Sequence, residues 1–244
     1  MNFEIDYYKE KVNIFAHTSV PWQQEVLFSF VNHITLPINP KILDVGSGIG
    51  NNVKTLMSLA SSITATDISD KVLAVLKERY KEASVKIDTV ASHMQELPFN
   101  DNSFDLVVCT EVLEHIENLP KAIGECMRVL KPNGYIILSS PNYFNPAGFI
   151  KIIFELMHPD KSWDAWGNHE DGHEDFMTSF KLRRVTKKSG VQILETRGGD
   201  VMRSWLPFFR RYYKYIDQHP MLSFGRLPII KYFLMNFFIL GKKV

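Results

Sequence analysis

The sequence predicts an α/β protein built on a doubly wound, mostly parallel sheet. Three observations carry this. From residue 41 onward, short β-branched apolar runs alternate with stretches of helical apolar spacing. The first run stops on glycines and leads straight into a helical stretch. The run at 104–110 (FDLVVCT) is apolar on both faces, as a strand covered by helices on both sides must be.

The elements follow in order. Residues 1–37 read as mostly helical, with Trp22, Val26, Phe30 and Ile34 recurring every four positions. The first strand is expected at 41–45 (KILDV). A helix over 51–60 follows, with Val53, Leu56, Met57 and Ala60 at helical spacing. The second strand, 62–66 (SITAT), closes on Asp67; the helix after it buries Val72, Leu73, Leu76 and Tyr80 and takes Ser69 or Asp70 as its cap. Strands are expected at 85–90 and 104–110. A helix over 122–130 is then ended by Lys131, Pro132, Asn133 and Gly134 before a fifth strand at 135–139. Two further strands, 191–196 and 237–240, flank a helical, aromatic insertion. The chain, 1–244, therefore reads as one domain: an N-terminal helical cover (1–37), a ligand-binding core (38–198), an aromatic and basic insertion (199–230) and a last strand (231–244).

Composition excludes several classes. An apolar fraction of 45% with 23% charged residues builds a large core and argues against a disordered chain. The 28 Lys and Arg against 27 Asp and Glu give a net charge of +1, without the basic footprint of nucleic-acid binding. Cys109 and Cys126 lie in apolar runs without zinc-finger spacing and are expected as buried thiols. No export signal or membrane-spanning run is evident, so the expected location is the cytoplasm, with peripheral membrane contact as an option.

The turn after the first strand is Asp44-Val45-Gly46-Ser47-Gly48-Ile49-Gly50. Glycines there let a ligand approach main-chain amides with no Cβ in the way, although a tight strand-to-helix turn needs glycine even with nothing bound. Asp67 ends the second strand 21 residues after Gly46, where a carboxylate can accept from a ribose diol. A dinucleotide fingerprint wants G-x-G-x-x-G, but position 51 is Asn. The extra carboxylate of Asp44 would repel a pyrophosphate and attract an ammonium or sulfonium, which favours S-adenosylmethionine.

These stretches resemble the class I S-adenosylmethionine-dependent methyltransferases, near the quinone-biosynthesis and small-molecule O-methyltransferases. The resemblance rests on LDVGSGIG (43–50), TATDIS (64–69), MQELPFNDNSFDLVVCTEVLEHI (94–116), RVLKPNGYIILSSPN (128–142) and, more loosely, HEDFMTSFKLRRVTKKSGVQI (173–193). It implies a seven-stranded, Rossmann-like sheet. It also implies that Asp44, Gly46, Ser47 and Gly48 hold the methionine portion, that Asp67 holds the ribose, and that Ile68 packs on the adenine. The adenine edge would be read around His93 and Met94, where the family more often has Asp at the position of His93. Cys109 and Thr110 would lie near the methionine carboxylate and the sulfonium.

Methyl transfer from a sulfonium needs positioning and desolvation more than acid–base chemistry, and a base helps only where the acceptor is a hydroxyl or an acidic carbon. His115, in the cluster Glu111, Glu114, His115, is the first base candidate; the plain alternative is that Glu114 and His115 order their loop. A divalent ion on that cluster is a third reading, but a lone E-x-x-E-H cannot close a coordination sphere, and no metal ligands are assigned. His169 and His173, within WDAWGNHEDGHE (163–174), are further candidates for base or orienting group, the alternative being a solvated loop. Residues 202–228 interleave aromatics with Arg203, Arg210, Arg211 and Lys214. They suit a membrane surface, a lipid-linked acceptor or a lid, or else a cap packed on the domain.

The sequence thus points to an S-adenosylmethionine-dependent methyltransferase of a small-molecule or lipid-linked acceptor, most simply at oxygen. A non-catalytic scaffold that only binds the cofactor and, more weakly, a nicotinamide-dependent oxidoreductase are the competing readings.

Overall fold

A computed structural model describes residues 21–157, 176–199 and 226–244. In it, seven strands form one sheet: β1 (Ile42–Val45), β2 (Ser62–Asp67), β3 (Lys86–Ala91), β4 (Phe104–Cys109), β5 (Leu130–Pro141), β6 (Val191–Gly199) and β7 (Asn236–Lys243). Their order across the sheet is β3-β2-β1-β4-β5-β7-β6. All pairs are parallel except those of β7, which runs antiparallel to both β5 and β6. The order reverses at β1, between β2 and β4, and this is where an open parallel sheet leaves a crevice beyond its strand ends.

The helices are α1 (Pro21–Val31), α2 (Val53–Leu56), α3 (Asp70–Arg79), α4 (Leu119–Val129), α5 (Pro146–Met157) and α6 (Ser179–Lys188). Alternate strand residues feed two cores. On one face Leu43, Val107, Ile136 and Phe237 pack with Leu119, Ile123 and Cys126 of α4 and Leu182 of α6. On the other face Ile42, Leu106, Ile137 and Phe238 pack with Leu27 and Phe30 of α1, Leu56 of α2 and Leu76 of α3. Ser69 caps α3, its hydroxyl accepting from the Val72 amide, so the choice between Ser69 and Asp70 falls on the residue with extended backbone.

Three expectations are corrected. The helix expected over 51–60 is a single turn, Val53–Leu56. Beyond it the chain tightens to i→i+3 bonds, Ser58 to Thr55 and Leu59 to Leu56, and the Ser58 hydroxyl takes the Thr55 carbonyl at 2.7 Å. The stop at 131–134 ends the helix but does not delay the strand. Leu130 already pairs with Phe104, and the extra residues pass as an irregularity with Asn133 at φ 62° before Tyr135 pairs with Leu106. At the N-terminal side the helix stops at Val31, and Ile34 packs on the core from the turn beyond it. Residues 1–20, 158–175 and 200–225, which include most of the expected insertion, lie outside the described residues.

Candidate active site

The crevice opens at the carboxyl ends of β1, β4 and β5, on the sheet face covered by α1. Its wall combines Gly46, Ser47, Gly48 and Ile49 of the glycine turn, Asn51 and Asn52 just beyond it, Thr110 and Glu111 after β4, and Ser139 of β5. Gln23, Gln24 and Leu27 of α1 and Phe238 of β7 close it, around a free volume of about 160 Å³. The Thr55 hydroxyl donates to Gln24 Oε1 at 2.7 Å, fixing α1 to the turn below.

Each glycine of the turn has its own reason. Gly46 has φ 65°, and a Cβ there would clash with Val112 Cγ2, so the turn packs against the segment leaving β4. Gly48 has φ 52° and nothing within 4 Å of where its Cβ would be, so this position faces open crevice. Gly50 instead makes room for Leu76 of α3 and for Tyr80 just beyond it, the Tyr80 hydroxyl donating to its carbonyl at 2.8 Å; its role is packing.

Asp44 and Asp67 flank the turn as expected, in unlike states. Asp67 Oδ2 accepts from the Gly48 amide and Oδ1 from the Ser69 amide, both at 3.0 Å. Burial raises its pKa against these bonds. Spare lone pairs on both oxygens leave it able to take ribose hydroxyls. Asp44 is fully buried in the central strand. Its Oδ1 accepts from Asn52 Nδ2 at 3.0 Å, while Oδ2 has no hydrogen-bond partner among the described residues. Desolvation pushes its pKa up to about 7, against the Asn52 bond and with the help of the Asp67 charge. A buried carboxylate oxygen without a donor is costly, and a cation nearby would offset that cost. This chemistry suits the ammonium and sulfonium of S-adenosylmethionine.

The remaining expected cofactor residues separate by strand parity. Ser47 lines the crevice, its amide and hydroxyl both donating to the Thr66 carbonyl. Thr110 also lines it, its hydroxyl oxygen accepting from Asn52 Nδ2 at 2.9 Å. Cys109, one position earlier, points to the opposite face, into the core with α4; burial holds its thiol well above the ordinary range, and Sγ lies 3.8 Å from Met94 Sδ. Its side chain is thus turned away from the crevice, contrary to the expectation for it. Met94 is buried in the same core. His93 is half-buried, with Nδ1 accepting from the Gln95 amide at 3.1 Å, and Ile68 is half-buried beside Asp67.

Glu111 is the non-glycine residue with φ 56° where the chain leaves β4. Its Oε1 accepts from the Ser139 hydroxyl and its Oε2 from Asn236 Nδ2, both at 2.6 Å. Glu114 is buried in the 3₁₀ turn Leu113–His115, and His115 Nε2 lies 3.9 Å from its Oε1. His115 does not line the crevice wall, which Glu111 does. Among the described residues no three His, Cys, Asp or Glu side chains converge as metal ligands. His169 and His173 lie outside the described residues. Asn52, Ser139, Asn236 and the Gln23–Gln24 pair were not singled out in sequence; of these only Asn52, adjoining the glycine turn, carried a local signal.

Comparison with known proteins agrees with this geometry. A family model described as a methyltransferase domain matches residues 43–138. The ubiquinone biosynthesis O-methyltransferase of Xanthomonas axonopodis pv. citri is 26% identical over 174 residues, 71% of each chain. That of Rickettsia canadensis is 30% identical over 158 residues, 65% of each chain, so the match spans just under two thirds of this relative's length. Among solved structures, a SAM-dependent methyltransferase from Aquifex aeolicus has a TM-score of 0.58 at 14% identity, covering 99% of this chain and 97% of that one. The [4+2]-cyclase SpnF has a TM-score of 0.61 at 20% identity, covering 97% and 86%. Strand order, glycine turn and sequence kinship agree: the chain is similar to the S-adenosylmethionine-dependent methyltransferases, with a methyltransferase-domain match over residues 43–138. Within that class it is similar to the ubiquinone biosynthesis O-methyltransferases.

Proposed function

We propose that the protein transfers a methyl group from S-adenosylmethionine to a hydroxyl oxygen of a small or lipid-linked acceptor. The observation that carries this is the buried carboxylate of Asp44, one oxygen unpartnered among the described residues, at the foot of a glycine turn whose Gly48 has no described neighbour where a Cβ would stand. The bound cofactor supplies an electrophilic methyl on a sulfonium that leaves as a neutral thioether. The chain supplies the geometry. Asp44 and Thr110 address the amino-acid end, Asp67 the ribose, and Ile68 with the Met94 main chain the adenine. Gln24 and Leu27 of α1 and Phe238 keep water from the crevice. The base that takes the acceptor's proton is assigned among His115, His169 and His173, with Glu111 the carboxylate nearest the crevice.

The name of the similar enzymes makes a phenolic hydroxyl on a lipid-linked ring the acceptor to try first. One surface favours a lipid-linked compound. The α5 helix exposes Phe149, Ile153, Leu156 and Met157 at i, i+4, i+7 and i+8, while α6 exposes Phe180, Arg184, Lys187 and Lys188 at the same spacing. Phe144 joins the two helices, its ring 5.7 Å from Phe149 and 5.1 Å from Phe180. No described helix is long and apolar enough to cross a membrane. Peripheral contact through 202–228 is part of the same proposal, and liposome flotation with and without that segment tests it.

Calorimetric titration tests the cofactor: S-adenosylhomocysteine is expected to bind and NAD not to. A labelled-methyl assay with a phenolic acceptor then separates enzyme from scaffold, because the fold is shared with a protein named for cyclisation and so does not decide the reaction.

A further inference from the structure

An irregularity in β6 changes which face its side chains meet. Ile193 pairs with Gly241 and Glu195 with Leu240, so Leu194 is an extra residue in the ladder and its side chain is exposed. Ile193 packs on the core beneath α4 and α6, and a regular strand would send Glu195 and Arg197 after it. The bulge turns both to the face covered by α1. There Arg197 is only 4% exposed, its guanidinium 4.9 Å from the centre of the Phe30 ring. Its Nε donates to Glu195 Oε1 at 2.6 Å, and Glu195 Oε2 lies 3.1 Å from Nδ1 of His33, just past the end of α1.

The register puts this guanidinium next to the crevice. Arg197 pairs with Phe238 of β7, which pairs with Ser139 of β5, and both of these line the crevice. Cross-strand partners share a face, so Ser139, Phe238 and Arg197 form one row under α1. Along α1 the order is the same: Leu27 lines the crevice, and Phe30, one turn on, covers Arg197. The terminal nitrogens of Arg197 carry the rest of its donors, and no acceptor among the described residues takes them. A buried cation with unspent donors is costly until an anion joins it, and a guanidinium fork fits an oxyanion edge-on.

We infer that Arg197 holds an oxyanion of the acceptor, a carboxylate on its ring or a phosphate on its linker, at the end of the crevice away from the glycine turn. Glu195 is the positioning residue: it takes the Nε edge and leaves the fork for the ligand. Glu111, on the wall nearer the glycine turn, is a carboxylate, so an acceptor with a hydroxyl at one end and an acid at the other is turned one way round. Two strand spacings, about 10 Å between the backbones of Ser139 and Arg197, are bridged by an aromatic ring and the arginine side chain.

The inference rests on the acceptor reading above, and the experiment keeps the two apart. Protein loaded with S-adenosylhomocysteine is titrated calorimetrically with dihydroxybenzoate, with dihydroxybenzylphosphonate and with the uncharged dihydroxybenzamide. Wild type is expected to bind one of the acids about tenfold or more tightly than the amide, and which acid it prefers tells a ring carboxylate from a linker phosphate. Arg197→Met keeps a stem packed on Phe30 and is expected to bring that acid down to the affinity of the amide, leaving the amide unchanged. Arg197→Lys, with the charge but not the fork, is expected to fall between. Wild type that binds neither acid better than the amide, or Arg197→Met that weakens all three alike, overturns the inference. If Arg197→Met does not fold, Arg197→Lys decides it on the same ratio. Wild type that takes up S-adenosylhomocysteine but none of the three probes overturns the phenolic-acceptor reading, and the inference with it.

Discussion

Two clusters of buried polar groups lie on either side of β4, and they differ in one respect. On the β1 side, Asp44 is enclosed with one oxygen paired and the other without a donor among the described residues. On the β5–β7 side, Glu111 and Asn142 have both ends of their side chains paired. Glu111 is held by Ser139 and Asn236, and Asn142 donates to the carbonyls of Tyr232 and Leu234 at 3.0 and 2.7 Å while accepting from the Ser179 and Phe144 amides. A saturated cluster ties strands and loops together and asks nothing of a ligand. An unsaturated one leaves a buried charge whose cost a cation in the crevice can offset. The first cluster is therefore read as binding machinery and the second as framework, although both sit at the same end of the central strands.

The sharpest way to break this comparison is to neutralise Asp44. Asp44→Asn keeps the shape and removes the charge, so affinity for S-adenosylhomocysteine, measured by calorimetry, is expected to fall about a hundredfold, in line with about 3 kcal/mol for unit charges about 6 Å apart at an effective dielectric constant of about 20. Thermal stability of the ligand-free protein is expected to hold or rise, because the burial cost of the charge goes with it. A stability loss with affinity intact would reverse the assignment of the two clusters.

The opposite response is expected across β4. Asn142→Ala removes the partner of two carbonyls and two amides, and denaturant unfolding is expected to show a loss of about 3 kcal/mol. Asn236→Leu, which strips one of the two donors from the Glu111 carboxylate, is expected to cost about 2 kcal/mol. In both, whatever folds should keep wild-type affinity for S-adenosylhomocysteine, since neither residue touches the cofactor side of the crevice. Affinity that falls in step with stability would mean that the two clusters act as one.

How much of each cluster could be read from the sequence follows from the reach of its contacts. Asp44 meets Asn52 eight residues on, and Gly48 meets Asp67 nineteen residues on, within one strand–turn–helix–strand unit. A glycine turn with an acid on either side displays such a unit in one short stretch. Glu111 meets Asn236 across 125 residues and Asn142 meets Leu234 across 92. Nothing local announces either pair, because β7 returns between β5 and β6 only through tertiary packing. Alternation along β4 did mark Cys109 and Thr110 for opposite faces, and following it would have turned Cys109 into the core. The single turn of α2 was hidden for another reason: apolar spacing records which face is buried, while Ser58 decides where the helix stops.

The smallest expected effect is the most discriminating, because it sets two pH trends of Asp44 against each other. Its pKa in the folded, ligand-free protein is raised from 3.8 to about 7, so its carboxylate is ionised less readily there than in the unfolded chain. Its contribution to folding is therefore fully present below the unfolded value and is lost as pH rises through the window from about 4 to about 7. Cofactor binding runs the other way. A bound ammonium favours the ionised form, so binding releases a proton near neutrality, and affinity should fall by up to about tenfold for each pH unit below 7. Asp67, whose carboxylate also raises the Asp44 pKa, titrates under its own backbone bonds in both variants and so cancels when wild type is compared with Asp44→Asn. The difference between the two proteins, followed by thermal melting without ligand and by calorimetry with S-adenosylhomocysteine from about pH 5.5 to about pH 8, should therefore slope in opposite directions. Parallel slopes would show that Asp44 does not exchange its proton for the cofactor's charge, and that its unpaired oxygen answers to the fold alone.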